Sequence, residues 1–142
     1  MRLLGYLAIA LFVFGCATRA HRAPSVVGIY KLEAMNGHSI PAPHPCYEGW
    51  TVEAGRIVID QGRLTLTNQD LDAQPSPNPR IDYEATGPIT QTGDTIAAVL
   101  TEKGQPTHLD RIELRLDRGD LVTGSAFSGF LCTFTARYKR AG

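Results

Sequence analysis

The sequence lacks an excess of charge of either sign. Its 142 residues include 14 Lys and Arg and 14 Asp and Glu, so the formal net charge at pH 7 is zero. Nucleic-acid-binding proteins usually need a basic surface, because Lys and Arg make their phosphate contacts. The basic segment RYKR at residues 137–140 is too short to supply such a surface. We therefore predict that the protein does not bind nucleic acid.

The sequence also lacks an apolar run long enough to cross a membrane as a helix. Residues 3–15 are uncharged and mostly apolar, but these 13 residues would extend only about 20 Å as a helix, against a hydrocarbon core of about 30 Å. Arg2 places a positive charge just before the run, which is the arrangement of a signal peptide. We predict export, with residues 1–15 as the signal peptide.

The end of the apolar run, VFGC at residues 13–16, resembles the lipobox of bacterial lipoproteins. In that family the cysteine thiol receives a diacylglycerol, and cleavage makes the cysteine the new N-terminus. The resemblance implies lipidation of Cys16, with acyl chains such as palmitate holding the protein at a membrane. Ala17 stands where an aspartate would indicate inner-membrane retention, so the resemblance favours the outer membrane, on its periplasmic face or at the cell surface.

Two other interpretations of the leader stay open. Cleavage after Ala20 would release a soluble exported protein, because Thr18-Arg19-Ala20 loosely matches a small-x-small cleavage site. An uncleaved leader would instead remain as an anchor. In each case residues 16–25, which are small, polar and unpatterned, indicate a flexible tether before the folded domain.

Cysteine is scarce, with three residues in the whole chain. If Cys16 is acylated, Cys46 and Cys132 remain as an even pair in an oxidising compartment. They lie 86 positions apart, and closing a loop of that length could stabilise the fold by about 4–5 kcal/mol. We predict a disulfide between Cys46 and Cys132, with two buried free thiols as the alternative.

Residues 26–140 show a period of two and no convincing helical period. In RIELRLD, for example, Ile112, Leu114 and Leu116 alternate with charged residues. Tight turns between short strands predict an all-β fold, a small antiparallel up-and-down barrel of about eight strands. We expect turns at the pairs Asn36-Gly37, Ala54-Gly55, Gln61-Gly62 and Lys103-Gly104, and near Gly93 and Gly119. Two proline-rich loops are expected at residues 41–47 and 70–79.

The segment GIYKLEAMNGHSIP, residues 28–41, resembles the opening strand of small bacterial lipocalin-like lipoproteins. Tyr30 stands where true lipocalins have a tryptophan that plugs the barrel base. The resemblance implies an eight-stranded barrel with a small apolar cavity, and Arg137 as the late arginine that packs on this aromatic ring. Many members of that group have no assigned activity.

No group of residues in the sequence has the pattern of a catalytic or cofactor site. His38, His44 and Cys46 are ligand-like in type, but a metal site needs three or four fixed ligands, and Cys46 is expected in a disulfide. Asp82 and Glu84 share a strand face that we expect to be solvated. We predict no metal, no cofactor and no enzymatic activity.

We expect a binding module of the cell envelope. A small apolar ligand inside the barrel would require a cavity of roughly 300 Å³ or more. The alternative is a solid barrel whose loops bind an envelope protein, as a hydrolase inhibitor or a structural lipoprotein would. The aromatic residues that would contact a ligand are Tyr30, Trp50, Tyr83 and Phe134.

The leader supplies the first test. We expect Cys16→Ala to abolish labelling by radioactive or clickable fatty acids and to release the protein from membranes, because the substituted residue has no thiol to acylate. Membrane fractionation and acyl labelling of cells measure both effects. Unchanged fractionation of the variant would refute the lipoprotein interpretation.

Overall fold

The computed structural model describes residues 23–74, 77–123 and 133–142, and every regular element in these ranges is a β-strand. Within these ranges no helix has the length and hydropathy of a membrane span. The strands are β1 (Gly28–Met35), β2 (His38–Ser39), β3 (Ala42–Pro43), β4 (Trp50–Asp60), β5 (Arg63–Asp72), β6 (Arg80–Thr92), β7 (Thr95–Glu102), β8 (Gln105–Asp117), β9 (Asp120–Thr123) and β10 (Ala136–Arg140).

Eight of these strands form a closed antiparallel barrel. From β4 to β10 each strand pairs with the next one along the chain, and β1 pairs with both β10 and β4, which closes the ring. The short strands β2 and β3 pair with β1 and β4, respectively. The predicted all-β, up-and-down barrel of eight strands is therefore confirmed.

The barrel interior is filled along much of its length by the inward-facing row of each strand. Leu64 and Leu66 of β5 are buried, as are Ile112 and Leu114 of β8, in agreement with the period-two pattern. Two tyrosines and a set of aliphatic residues complete this core. Its largest fully buried apolar side chains are Tyr30, Tyr138, Ile57, Ile59, Leu64, Leu66, Ile96, Leu100, Leu114, Leu121 and Val52.

A β-bulge changes which residues of β1 face inward. Simple alternation predicts that Leu32 and Ala34 share the buried face of Tyr30. The pairing with β10 shifts between Leu32 and Ala34, and an extra residue in one strand reverses the facing of those that follow. Met35, only 3% exposed, is consequently buried in place of Ala34.

The expected turn at Ala54-Gly55 is wrong, because β4 runs without a break from Trp50 to Asp60. A bulge between Val52 and Ala54 bends the strand there instead. A Cβ atom at Gly55 would lie 2.9 Å from Cβ of Leu32, so glycine allows this close approach of β1 to β4. Glycine marks turns, bulges and close approaches alike in a sequence.

The two proline-rich loops are shorter than expected. Ala42 and Pro43 pair with Val52 and Thr51 of β4, although proline was expected to exclude this segment from the sheet. Pro43 ends a two-residue strand, a position where a missing N–H is tolerated. Strand β5 extends to Asp72, so the second loop begins only after that residue.

The other expected turns are confirmed. Asn36 and Gly37 have φ values of 48° and 80° and connect β1 to β2, as an Asn-Gly hairpin requires. Gly62, Gly93, Gly104 and Gly119 also have positive φ and lie in the tight turns between consecutive strands.

One end of the barrel, which we call the tether end, is closed by Tyr30 and the residues before β1. The Tyr30 hydroxyl donates a 2.8 Å hydrogen bond to the carbonyl of Val26. The Arg140 guanidinium lies 5.7 Å from the Tyr30 ring centroid and donates to the carbonyl of Val27. The expectation that Arg137 packs on this ring is wrong, because Arg137 forms ion pairs with Asp117 and Asp120.

The leader and the last cysteine lie outside the described residues. The structure does not describe residues 1–15, Cys16 or Cys132. Lipidation of Cys16 and the Cys46–Cys132 disulfide therefore stay predictions. Cys46 is half-buried and is not a free thiol.

Strands β6 and β7 approach closely at Gly87, which gives a test of the barrel packing. A Cβ atom added at Gly87 would lie 1.9 Å from the carbonyl oxygen of Val99. We expect Gly87→Ala to lower the free energy of unfolding in urea by about 2–3 kcal/mol, because the backbone must move to accept the methyl group. Gly142→Ala is the control, since nothing lies within 4 Å of its added methyl. Equal urea midpoints for both variants would contradict this packing.

Candidate functional site

A cavity of about 320 Å³ lies at the end of the barrel opposite the tether end. It is formed where β4, β6 and β8 begin and where β5 and β7 end, together with the segment before β4. We call it the barrel-end pocket. Its lining residues are His44, Tyr47, Trp50, Asn68, Asp70, Ile81, Tyr83, Glu102, Gln105, His108 and Asp110.

The pocket arises because the inward-facing rows of the strands change from aliphatic to polar toward this end. In β5 the row begins with Leu64 and Leu66 and continues with Asn68 and Asp70. Strands β6 and β8 repeat this change in the opposite chain direction. There Tyr83 precedes the buried Ala85, and Asp110 precedes the buried Ile112.

Three rings pack together on one side of the pocket. The ring centroids of Tyr47 and Trp50 are 4.8 Å apart, as are those of His44 and Tyr47. Nδ1 of His44 accepts hydrogen bonds from the backbone N–H groups of Cys46 and Tyr47, at 3.0 and 3.1 Å. These bonds hold the imidazole in place and leave its proton on Nε2. Burial lowers the pKa of His44, so the ring is neutral at pH 7.

Asp70 is buried at the base of this aromatic group. It is 7% exposed, and its Oδ2 atom lies 3.8 Å from Nε2 of His44. Burial raises the pKa of Asp70 to about 6, because desolvation disfavours the carboxylate. Within the described part of the chain, Oδ1 of Asp70 accepts no hydrogen bond.

Asp110 is a second buried carboxylate in the pocket, 1% exposed. Its Oδ2 accepts a short hydrogen bond from the Tyr83 hydroxyl. Burial, and then this contact, raise the pKa of Tyr83, so the phenol remains a donor. Oδ1 of Asp110 lies 3.3 Å from Nε2 of His108, without the geometry of a hydrogen bond.

Buried acceptors without a hydrogen bond are concentrated in residues of this pocket. Three side-chain oxygens in it, Asn68 Oδ1, Asp70 Oδ1 and Asp110 Oδ1, are buried and accept no hydrogen bond from the described residues. Buried polar atoms in folded proteins are nearly always paired. All three atoms belong to residues that line this one cavity, which makes it the candidate site.

A larger depression of about 640 Å³ on the barrel is a different kind of surface. Its borders include Lys31, Arg56, Glu84 and Lys103, which are all exposed. Nζ of Lys103 and Oε2 of Glu84 lie 3.2 Å apart across it. The depression shares Asn68, Tyr83 and Glu102 with the barrel-end pocket. Its other charged residues are exposed and of both signs, as on an ordinary solvated face, so we place the candidate site in the smaller cavity.

The structure separates the four aromatic residues expected to contact a ligand. Trp50 and Tyr83 both line the barrel-end pocket. Tyr30 is fully buried at the tether end, and Phe134 is half-buried against the core outside the pocket lining. The alternate spacing of Asn68, Asp70 and Asp72 resembles part of a calcium loop but lacks the glycine and glutamate of one, so it did not identify the pocket. Glu102, His108 and Asp110 were not expected at a site, and the signal available for Asp110 was a polar residue at an inward position of a strand.

The residues considered as metal ligands do not come together. His38 is exposed, whereas His44 lies in the barrel-end pocket. Across residues 23–74, 77–123 and 133–142, no group of three or more His, Cys, Asp or Glu has the arrangement of a metal site. Asp82 and Glu84 are exposed, as expected for a solvated strand face.

Comparisons with known proteins add little to this geometry. No protein-family model matches the chain, and no curated protein matches it. A solved structure described as REP1-NXSQ fatty acid transporter is similar at 12% identity and a TM-score of 0.41, over 82% of this chain and 96% of that one. A likeness of this size carries no conclusion about ligand or function.

The buried carboxyl of Asp70 makes stability depend on pH. Its folded pKa of about 6 lies above the ordinary value of 3.8, so the native state holds this proton more tightly than the unfolded state. The ionised group thus costs stability above pH 6, and this cost disappears as the pH falls to 4. We expect Asp70→Asn to be more stable than the parent protein by about 3 kcal/mol at pH 7, and by much less at pH 4.

Denaturation in urea between pH 4 and 7 measures this difference. Asp82→Asn, which changes an exposed carboxylate of β6, is the control. Its free energy of unfolding relative to the parent protein should change little between pH 4 and 7. His44 and Tyr138 also face Asp70, so parent and variant are compared at each pH. A constant difference for Asp70→Asn would contradict the assignment.

Proposed function

We propose that this protein is a lipid-anchored binding module of the bacterial outer membrane, and that its barrel takes up a small organic molecule in the barrel-end pocket. The observation that carries the proposal is that one cavity is lined both by packed aromatic rings and by residues whose buried oxygens accept no hydrogen bond from the described residues. Apolar and aromatic walls with a few placed polar groups are the usual composition of small-molecule sites.

The size of the pocket supports a small ligand. Its volume of about 320 Å³ lies at the lower end of the range for ligand sites, roughly 300–1,000 Å³. Farther along the barrel the interior is packed, with Leu66, Leu100 and Leu114 all buried. A compact molecule with an apolar face and one polar group fits this shape better than a long acyl chain.

The tether and the barrel-end pocket lie at opposite ends of the barrel, which supports binding on the side away from the membrane. Val26 and Val27 contact Tyr30 and Arg140 at the tether end, and Gln91 donates a hydrogen bond to the carbonyl of Pro24. The pocket lies near Trp50, about 30 Å away along β4 at 3.3 Å per residue. A lipid on Cys16 would attach the protein through the tether end, which favours a pocket that faces away from the membrane, toward the periplasm or the exterior.

The predicted disulfide belongs to the same proposal. Cys46 lies between His44 and Tyr47, two residues that line the pocket. A bond from Cys46 to Cys132 would tie this segment to the chain just before β10. The bond would then keep the aromatic group in place as well as stabilise the barrel.

Trp50 allows a direct test, because it is the only tryptophan in the chain. We expect a saturable change in its fluorescence, and a rise in melting temperature, when full-length protein in detergent micelles is titrated with small phenylethyl compounds at millimolar concentration. Ile81→Phe, which enlarges a wall residue, should weaken binding at least about fivefold. Val99→Phe on the outer face of β7 is the matched control and should not weaken it.

Two outcomes would contradict the proposal. The first is the absence of a saturable response to any of these compounds, whether they carry an ammonium, a hydroxyl or a carboxylate group. The second is chemical conversion of a bound compound, detected by mass spectrometry of the recovered ligand. Conversion would assign the cluster of Asp70, Tyr83 and Asp110 to an enzyme instead of a binding module.

A further inference from the structure

We propose that the barrel-end pocket selects a ligand that carries a protonated amine, and that Asp70 and Asp110 receive the ammonium group. This inference rests on the proposed function and names the chemical class of its ligand. It follows from three features of the pocket wall: its unpaired acceptors, its lack of compensating cations and its aromatic rings.

The buried acceptor oxygens of the pocket residues determine which hydrogen-bond donors a ligand should carry. Asp70 and Asp110 are each more than nine-tenths buried. Oδ1 of Asp70 accepts no hydrogen bond from the described residues, and Oδ1 of Asp110 accepts none either, although Nε2 of His108 lies 3.3 Å from it. Asn68 adds a third such oxygen. A primary ammonium group has three N–H donors and no acceptor, so its hydrogen-bonding capacity matches this wall. A carboxylate ligand has no donor and would bring a further negative charge to the same place.

The wall also lacks a cation that could neutralise an anionic ligand. Among the described residues that line the pocket there is no Lys or Arg. Its two basic side chains are already engaged by the protein. Nδ1 of His44 accepts two backbone N–H bonds, and the nitrogens of His108 lie 3.8 and 3.3 Å from carboxylate oxygens of Glu102 and Asp110.

One amide donor in the wall is already used within the protein. Nε2 of Gln105 donates a 3.0 Å hydrogen bond to Oε1 of Glu102. The Tyr83 hydroxyl donates to Asp110. An anionic head group would bring its oxygens beside the carboxylates of Asp70 and Asp110, whereas an ammonium group would donate hydrogen bonds to them.

The aromatic rings suit the rest of an amine ligand. Tyr47 and Trp50 pack at a centroid distance of 4.8 Å beside the carboxylates. Aromatic faces attract organic cations through the ring quadrupole, and tryptophan does so most strongly. An aryl or short alkyl amine can thus place its apolar body against these rings and its ammonium against Asp70 and Asp110.

Three probes with one body and different head groups test this selectivity on the full-length protein. They are 2-phenylethylammonium, 2-phenylethanol and phenylacetate, each titrated at pH 7.5 with Trp50 fluorescence and melting temperature as readouts. We expect the ammonium compound to bind at least about tenfold more tightly than the alcohol, since charge-assisted hydrogen bonds form only with the former. Phenylacetate should bind more weakly than either.

The outcomes separate this inference from the proposed function. Equal or tighter binding of the alcohol or the carboxylate would overturn the amine assignment and leave the binding module standing. No binding of any probe would contradict the binding module itself. Displacement of the bound amine by micromolar Ca²⁺ or Zn²⁺ would also overturn the inference, because the site would then be one for an inorganic cation.

Substitutions provide an independent check. Asp70→Asn and Asp110→Asn should each lower the affinity for the amine at least about tenfold, while the affinity for the alcohol changes less than about twofold. Asp82→Asn removes an exposed carboxylate outside this pocket and is the matched control. Melting curves establish that each variant is folded. Unchanged amine affinity in both folded pocket variants would overturn the proposal.

Discussion

The pairing of β1 with β4 converts a row of hairpins into a closed barrel. Residues 28–31 pair with residues 56–59, and this contact joins the start of the domain to its first long hairpin. Closure leaves no long edge strand unpaired and gives the inward-facing residues a common interior. The close approach of Leu32 to Gly55 belongs to the same junction. The packed core and the barrel-end pocket both depend on this closure, because neither has walls in an open sheet.

The barrel interior is divided into a stabilising region and a polar one. Aliphatic side chains and Tyr30 fill the tether end, where burial removes apolar surface from water. At the other end, burial of Asp70 and Asp110 opposes stability, since a carboxylate loses hydration there. Tyr83 and His108 offset part of this cost through their contacts with Asp110. Buried oxygens that accept no hydrogen bond from the described residues distinguish this end as the candidate site.

Local patterns predicted most of the fold and little of the site. Alternation in β5 and β8 and the Asn36-Gly37 pair led to correct strands and turns, because each is a property of a few adjacent residues. Gly55 was misread because a glycine in a strand at a bulge looks the same in sequence as one in a turn. Arg137 was expected beside Tyr30 from the lipocalin resemblance alone, whereas the register of β1 and β10 places Arg140 opposite Tyr30, and sequence patterns do not give that register.

The sequence by itself determined the all-β class and the strand-and-turn order, and it predicts the exported, lipid-anchored character from the leader. These depend on short-range periodicity and on compact motifs. Only the tertiary structure decided that Asp70 of β5, Tyr83 of β6 and Asp110 of β8 share one cavity with Trp50 of β4. Their meeting requires the closed ring and its register, which bring together strands up to 60 positions apart in the chain. An inward polar residue gains its meaning only from the neighbours that this closure supplies.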